Sequence, residues 1–577
     1  MTQLVTYEKR KNNTFFNNLE KFDCIHTQNY IPIYSTFFNL NDTNYNNINL
    51  NHSSHIEKIL TKVDENIYNC SIVNRNNKTR EERVFCKFAP LIDPVKLMIG
   101  KYEKDNTITK LPQLGSIPAD VHAKLLDVNN SAYVDGIFSF LTGQLHSRFN
   151  FIHGVKYFGS FLTIKKNFKI DVYDDLEYLI KSDYFNKHKN NLFEIENYSD
   201  FFDDSTSRCN LPVLTINHDI ELRITPATIE TIDDTMFDSV FDETTQDTSE
   251  LCEIQSGSDF LSLTTENITG HNLLSTSKEF SRANTDSDDS CSSRTSHTNN
   301  SDGSEETSCS GDDLSDDTSS GSSDEKIYAT FPKFPVQMIC MEACHDTLDQ
   351  LILDEELTGD KWLSALMQII MILITYQQAF SFTHNDLHTN NIMYISTKKK
   401  YLFYQFKNKV YRVPTFGKIF KIIDFGRAIY KYGGKTMCSD SFSSTGDAAT
   451  QYNIEPYYNE HKPRLEPNFS FDLCRLACSI FDYLIDDIAE IQNLKKCNAV
   501  TRIIAEWCVD DNGINVLYKN NGTDRYPDFK LYKMIARCVH NHTPVAQLER
   551  PEFAAFSFNR EKIPKNEYVI NIDSIEV

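Results

Sequence analysis

The period of the apolar positions changes from block to block along the chain. NIYNCSIVN (66–74) and RVFCKFAPL (83–91), separated by the polar RNNKTREE, predict two strands joined by a turn. From Asn130 to Arg148 the residues Tyr133, Ile137, Phe140, Leu141 and Leu145 recur at helical spacing. FIHGVKYFGSFLTI (151–164) alternates, with glycines at bends, and predicts one or two strands. PVQMICMEA (335–343) reads as a buried strand, TLDQLIL (347–353) as a short helix, and Asp360 to Ser381 as a long apolar helix. Tyr401–Gly426 is strand-rich, and FDLCRLACSIFDYLIDDI (471–488) is helical in pattern. Residues 1–54, rich in Asn with aromatics between, predict an irregular, weakly ordered arm. Trp362–Phe382 approaches membrane-spanning length, but it holds Gln368, Gln377 and Gln378 and runs into a polar motif. It therefore reads as a buried helix, with no membrane association expected.

Composition alters this picture in one region. The chain has 577 residues and a net charge of −23. Residues 230–325 carry 24 Asp/Glu against three Lys/Arg, which leaves the remainder close to neutral. Such a Ser-, Thr- and acid-rich segment buries too little apolar area to offset its ordering entropy, so a disordered insertion is expected. Its end, 286–325, holds 14 Ser among 12 acids and reads either as a solvated spacer or as a target for an acid-directed kinase. No basic face for duplex nucleic acid is evident, and no nucleic-acid partner is expected. Fifteen cysteines without a CxxC pair argue against a zinc finger, and reduced thiols in a cytoplasmic setting are expected. The first residues lack an apolar core of secretory length.

The chemistry-bearing residues are His384-Asn385-Asp386-Leu387-His388-Thr389-Asn390-Asn391, followed by Asp424-Phe425-Gly426. Phosphoryl transfer from ATP needs one carboxylate to orient and accept the proton of the attacking hydroxyl. It needs a second, with a short polar side chain, to hold Mg2+ against the phosphates. Asp386 suits the first role; Asp424 and Asn391 suit the second.

HNDLHTNN resembles the catalytic loop of eukaryotic-type protein kinases, and KIIDFGRA (421–428) resembles their magnesium-binding loop. With VPTFGKIFKIIDFGRAIY, these motifs look like those of the kinase-like proteins of giant DNA viruses. The resemblance spans roughly 60–560 and implies an α+β, bilobal kinase-like fold, a β-rich smaller lobe over a helical larger one. Its parts would be an arm (1–54), the first part of the smaller lobe (55–229), the insertion (230–325), the last strand and hinge (326–344), the larger lobe (345–560) and a tail (561–577).

That likeness further implies that Lys87 contacts the α/β phosphates and pairs with Asp135, the only carboxylate in the 130–148 helix and one methylene shorter than the family's Glu. An exposed edge lysine is the other reading of Lys87. Met341-Glu342-Ala343-Cys344 resembles the hinge, where the backbone of Glu342 and Cys344 would read an adenine edge. His388 stands where protein kinases carry Lys, either donating near the γ-phosphate or packing the loop. Asp472 resembles the aspartate that anchors the catalytic loop from below, or else is an ordinary helix N-terminal acid.

Three departures matter. The first glycine of the chain is Gly100, after Lys87, so no glycine-rich phosphate loop precedes the lysine. Asn385 replaces the family's Arg, which pairs with a phosphate on the segment after Asp424; activity independent of phosphorylation in 429–455 follows. Asp386 to Asp424 is 38 residues, about twice the family's usual spacing, and 397–414 reads as an added hairpin. The expected function is ATP- and Mg2+-dependent phosphorylation of protein Ser/Thr hydroxyls in a cytoplasmic location, host cytoplasm or virion if the chain is viral. A catalytically silent scaffold and a small-molecule phosphotransferase stand as alternatives, the latter because DLHxxN also resembles such enzymes.

Overall fold

The computed structural model describes residues 3–102, 107–198, 326–355 and 357–577. The expected disordered insertion, 230–325, lies outside them. The described chain is α+β, built around a curled antiparallel half-barrel sheet.

In chain order the elements of the first part are β1 (Tyr7–Lys9), α1 (Asn13–Leu19), β2 (Cys24–Gln28), β3 (Ile48–Leu50), β4 (Ser54–Lys62), β5 (Ile67–Asn74) and β6 (Thr79–Pro90). They continue with α2 (Pro94–Met98), α3 (Ala123–Leu126), α4 (Ser131–Phe149), β7 (Tyr157–Asp171), α5 (Leu176–Ile180), α6 (Asp183–His188), β8 (Glu194–Ile195) and β9 (Tyr328–Glu342). The sheet runs β2-β7-β9-β6-β5-β4, with β8 pairing β9 off that path. Its two long strands, β7 and β9, pair from Tyr157/Met341 to Asp171/Tyr328 around one bulge. Period-two alternation decides the faces: Val84 and Cys86 point into a core with Cys70, Ile72, Met338 and Cys340, which turns Phe85 and Lys87 to the other side.

The predicted arm is instead folded. β2 pairs with β7 at the sheet edge, and α1 lays Phe15 and Phe16 on Phe161 with ring centroids 5.4 and 5.5 Å apart. The asparagines do structural work: Asn12 Nδ2 donates to Asn29 at 2.6 Å and to Asn49 at 2.7 Å, a buried polar network. Neither a two-residue-period signal nor a strong helix propensity marks this stretch. Its order comes from tertiary partners.

After β9 come α7 (Leu348–Asp354), α8 (Gly359–Phe380), β11 (Ile392–Ser396), β12 (Tyr401–Phe406), β13 (Lys409–Pro414), β14 (Lys418–Ile422), β15 (Ile429–Tyr432) and β16 (Lys435–Cys438), with the two-residue β10 (Asp346–Thr347) preceding α7. The helices α9 (Phe471–Leu484), α10 (Ala499–Trp507) and α11 (Lys530–Cys538) follow. α8 is long and apolar enough to cross a membrane, but 83% of its most apolar window is buried inside the protein. The added hairpin is β12–β13, and short strands at 557–558 and 569–571 flank it, tying the insertion to the C-terminal stretch.

α4 sits between the half-barrel and the helices. Asn130 caps it, accepting from the Ala132 amide at 3.0 Å. Phe138, fully buried on its length, meets Phe382 at 4.4 Å, Phe425 at 4.6 Å and Tyr430 at 4.7 Å between ring centroids. This aromatic hub joins α4 to the segments before Asp386 and around Asp424.

Candidate functional site

β6 carries Lys87 with its side chain buried, which excludes the exposed edge lysine. A buried ammonium requires carboxylates, and two come from distant parts of the chain: Asp135 Oδ2 and Asp424 Oδ1, each 2.8 Å from Nζ. Burial alone would lower the lysine's pKa, but the two carboxylates outweigh it and raise it. The other oxygen of Asp135 accepts from the Phe425 amide at 3.1 Å and from the Ser139 hydroxyl at 3.3 Å. Asp135 thus holds both the lysine and the loop that bears Asp424.

A side chain as short as that of Asp135 reaches Lys87 only if helix and sheet approach closely. The helix lies unusually close to the sheet. A Cβ at Gly143 would stand 2.9 Å from Tyr157 Cβ and 3.2 Å from the Val155 carbonyl oxygen, and one at Gly136 would collide with buried Gln337. Small residues on the inner face of α4 permit the approach that the short acid needs.

Asp386 lies on a loop fixed from below. The buried Asp472 carboxylate accepts the amides of His384 (2.9 Å) and Asn385 (3.0 Å), which is the anchoring role rather than that of a plain helix-terminal acid. His384 Nε2 donates to the Ile423 carbonyl at 2.9 Å, while its Nδ1 accepts from the Asp386 amide at 3.3 Å. The Ile423 amide donates to the Asn391 carbonyl at 3.0 Å, so the segments bearing Asp386 and Asp424 are stitched together. Asn385, at φ 65°, donates to the Thr383 and Arg427 carbonyls and accepts from Tyr452 Oη at 2.7 Å.

The Asp386 carboxylate accepts from Tyr532 Oη at 2.8 Å and faces Arg427 at 3.5 Å. The Arg475 guanidinium lies over the ring of the same tyrosine, 5.0 Å from its centroid. Burial would raise the Asp386 pKa, but Arg427, His388, Arg475 and the Tyr532 bond together hold it well below the usual carboxylate range. Asn391 donates to the Asp386 carbonyl at 2.9 Å and lies 3.0 Å from His388 Nε2, which leaves its Oδ1 as the oxygen that can face a cation. His388 Nε2 thus meets the side chain of the asparagine that also holds the Asp386 backbone.

A cleft opens beside Lys87 and Asp424. Its walls are Ile67, Phe85, Val155, Met341, Met393 and Ile423, and its rim is Glu342, Ala343 and Cys344. Apolar walls with a cation and a carboxylate at one end suit a flat ring carrying an anionic tail. The Glu342 carboxylate is not free in this cleft: it accepts from Lys421 at 2.6 Å and from the Lys156 amide at 2.9 Å. Burial would raise its pKa, and Lys421 and Lys156 lower it. Lys421, fully buried, also donates to the carbonyls of Ile152 and Gly154 at 2.9 and 2.8 Å. Burial pushes the Cys344 thiol up to about 12, so it enters the cleft as a neutral group.

Among the described residues no cluster of three or more His, Cys, Asp or Glu could hold a metal ion. One carboxylate (Asp424) and one amide oxygen (Asn391) are a hard-oxygen set that fits Mg2+ only when phosphate oxygens complete it. The sequence motifs located Lys87, Asp135, Asp386, Asn391, Asp424 and Asp472. Arg475 and Tyr532, from distant helices, carried no motif; Lys421 and Glu342 each lie in a motif, but neither motif pointed to their pairing, for which two ionisable residues inside apolar strands were the signal.

Two outcomes test this geometry. Gly143→Ala should push α4 off the sheet, cost about 1–3 kcal/mol, and speed acylation of Lys87 by an amine-reactive reagent followed by mass spectrometry. Adding Asp135→Glu should slow the labelling again, because the longer side chain spans the wider gap. Lys421→Met should cost about 3–5 kcal/mol at pH 7 by removing the buried cation from Glu342, which keeps only the Lys156 amide and the more exposed Lys156 ammonium at 3.6 Å. In the wild type the depressed Glu342 pKa gives stability that is complete above the ordinary glutamate value and lost as pH falls through the folded one. In the variant the carboxyl protonates more readily, so urea titrations should show the gap between the two proteins narrowing as pH falls from 7 towards 4.

No family model matches the chain, and no curated protein is significantly similar to it in sequence.

Proposed function

We propose that the protein is an ATP- and Mg2+-dependent phosphotransferase of the protein-kinase type, acting on Ser/Thr hydroxyls of protein substrates. The observation that carries the reading is Lys87 held between Asp135 and Asp424, beside a cleft, with Asp386 and Asn391 on an adjoining anchored loop. The order β4-β5-β6-β9-β7 with α4 behind it is the arrangement expected of a kinase's smaller lobe, and α8 with α9 is that expected of the larger.

In this reading the nucleotide base lies between the apolar walls, against the backbone at 342–344, and Lys87 turns from Asp424 to the phosphates. Asp424 and Asn391 Oδ1 would hold Mg2+, which neutralises charge developing on the phosphate oxygens when bound. Asp386 orients the acceptor hydroxyl and takes its proton. With its pKa so depressed it is a weak base, and positioning is its larger contribution. Tyr532 and Arg427 fix the plane of that carboxylate.

The β4–β5 turn, Val63-Asp64-Glu65-Asn66, stands where a glycine-rich loop would cover the phosphates. Its two carboxylates would oppose them, and this favours the second reading, a scaffold that binds nucleotide weakly or not at all. With labelled ATP, Mg2+ and a general protein substrate, the wild type should label Ser/Thr, and Asp386→Asn should lower the rate by about 10²–10⁴-fold. Label on small molecules alone, or none, rejects the proposal. In a calorimetric titration with MgATP, Asp64→Asn with Glu65→Gln should tighten binding several-fold; an unchanged Kd would remove the turn from the phosphate site.

A further inference from the structure

Lys87 and Asp135 are 48 residues apart in sequence, and among the described residues between them α2, α3 and residues 129–131 contact the segment following Asp424. The contacts between the two are ion pairs and hydrogen bonds, buried at Asp440 and part-buried at Lys96, Lys124 and Asp447. Asp440, 6% exposed, accepts the Ser131 amide at 3.0 Å through Oδ1 and pairs with Lys124 at 2.8 Å through Oδ2. Its own amide donates to the Asn129 carbonyl at 2.7 Å. Seven residues on, Asp447 pairs with Lys96 at 2.7 Å, and Lys96 also reaches the Thr445 carbonyl at 3.3 Å.

Ser131 is the first residue of α4, and its N–H is one of the four that a helix cannot satisfy internally. Asn130 takes the next amide, so the helix start is closed by one side chain of its own and one from a segment 309 residues away. A carboxylate there also meets the positive end of the helix dipole. α4 is the element that presents Asp135 to Lys87, and Tyr430 Oη donates to the Val134 carbonyl at 3.0 Å one turn along it.

We propose that Asp440, with Asp447 in support, is a built-in latch that positions α4 and so keeps the Lys87–Asp135–Asp424 cluster assembled without phosphorylation of 439–447. The two lysines facing this segment are already paired with carboxylates of the chain. Asn385 is buried and committed to Thr383, Arg427 and Tyr452, so it offers a phosphate no charge. Ser439, fully buried, uses its hydroxyl to accept the Ser441 amide. Asp440 is thus a positioning residue for the proposed reaction. The activity arm of the claim rests on the phosphotransferase reading; the positioning arm does not.

The test uses the full chain and two readouts, amide hydrogen exchange across 131–140 and 439–447 and phosphotransfer before and after phosphatase treatment. Asp440→Asn keeps the shape and removes the charge; it should raise exchange at the start of α4 at least tenfold and lower phosphotransfer by a similar factor. Lys124→Met, which keeps the carboxylate, should give a smaller rise and covers the case in which the first variant fails to fold. Replacing Ser441, Ser443, Ser444 and Thr445 together by Ala should change neither readout, nor should phosphatase. Wild-type exchange in both charge variants, or loosening of α4 by phosphatase, overturns the latch. Exchange that responds as expected in a protein without phosphotransfer upholds the latch and rejects the enzymatic reading. The reverse pattern rejects the latch and keeps the enzyme.

Discussion

A buried ammonium governs this structure. Lys87 sits inside the protein, where an unpaired charge is costly, and the carboxylates that pair with it are distant in sequence. Two carboxylates must therefore be delivered from elsewhere, one on a helix and one on a loop more than three hundred residues downstream. Once both arrive, β6, α4 and the Asp424 loop are tied into one arrangement: without Lys87 two buried carboxylates would lose their cation, and without either acid its element would lose its tie to β6.

The surrounding features serve that convergence. Glycines on the inner face of α4 let it approach the sheet closely enough for a short acid. Asp135 uses its second oxygen to hold the Phe425 backbone, and Phe425 and Phe138 join the aromatic hub that ties α4 to the helices. A second buried pair, Lys421 with Glu342, binds the strand before Asp424 to the end of β9 and to the 152–154 turn. Asp472 does the same for the Asp386 loop with backbone amides as partners. Each device is a charged or polar group that can be buried only if a particular distant segment is in place, which makes the site and the fold one problem.

Much of this was legible before any coordinates. The alternation in 66–74 and 83–91, the helical spacing of 130–148 and the apolar run before His384 all became the elements they predicted. The pairing of Lys87 with Asp135 was indicated by the likeness to protein kinases, while an exposed edge lysine stayed open until the burial of the side chain was seen. The N-terminal arm was not legible. Its strand is ordered by the edge of β7 and its helix by Phe161, and an Asn-rich stretch reveals nothing of such partners. Tyr532 and Arg475 were equally silent, since a tyrosine near the start of a short helix has no local pattern that points to a carboxylate 146 residues away.

Beyond the first fifty residues, the sequence by itself determined which of the strongly patterned segments are strands and helices, which of their faces are apolar, and which side chains are chemically able to orient a hydroxyl or hold a hard cation. These are properties of neighbouring residues, set by period, propensity and functional group. Only the tertiary structure decided what closes the start of α4, what fixes the plane of the Asp386 carboxylate and where the first fifty residues go. Those outcomes depend on burial and on hydrogen bonds between segments far apart in the chain, and a pairing energy of that kind exists only once the partners have been brought together.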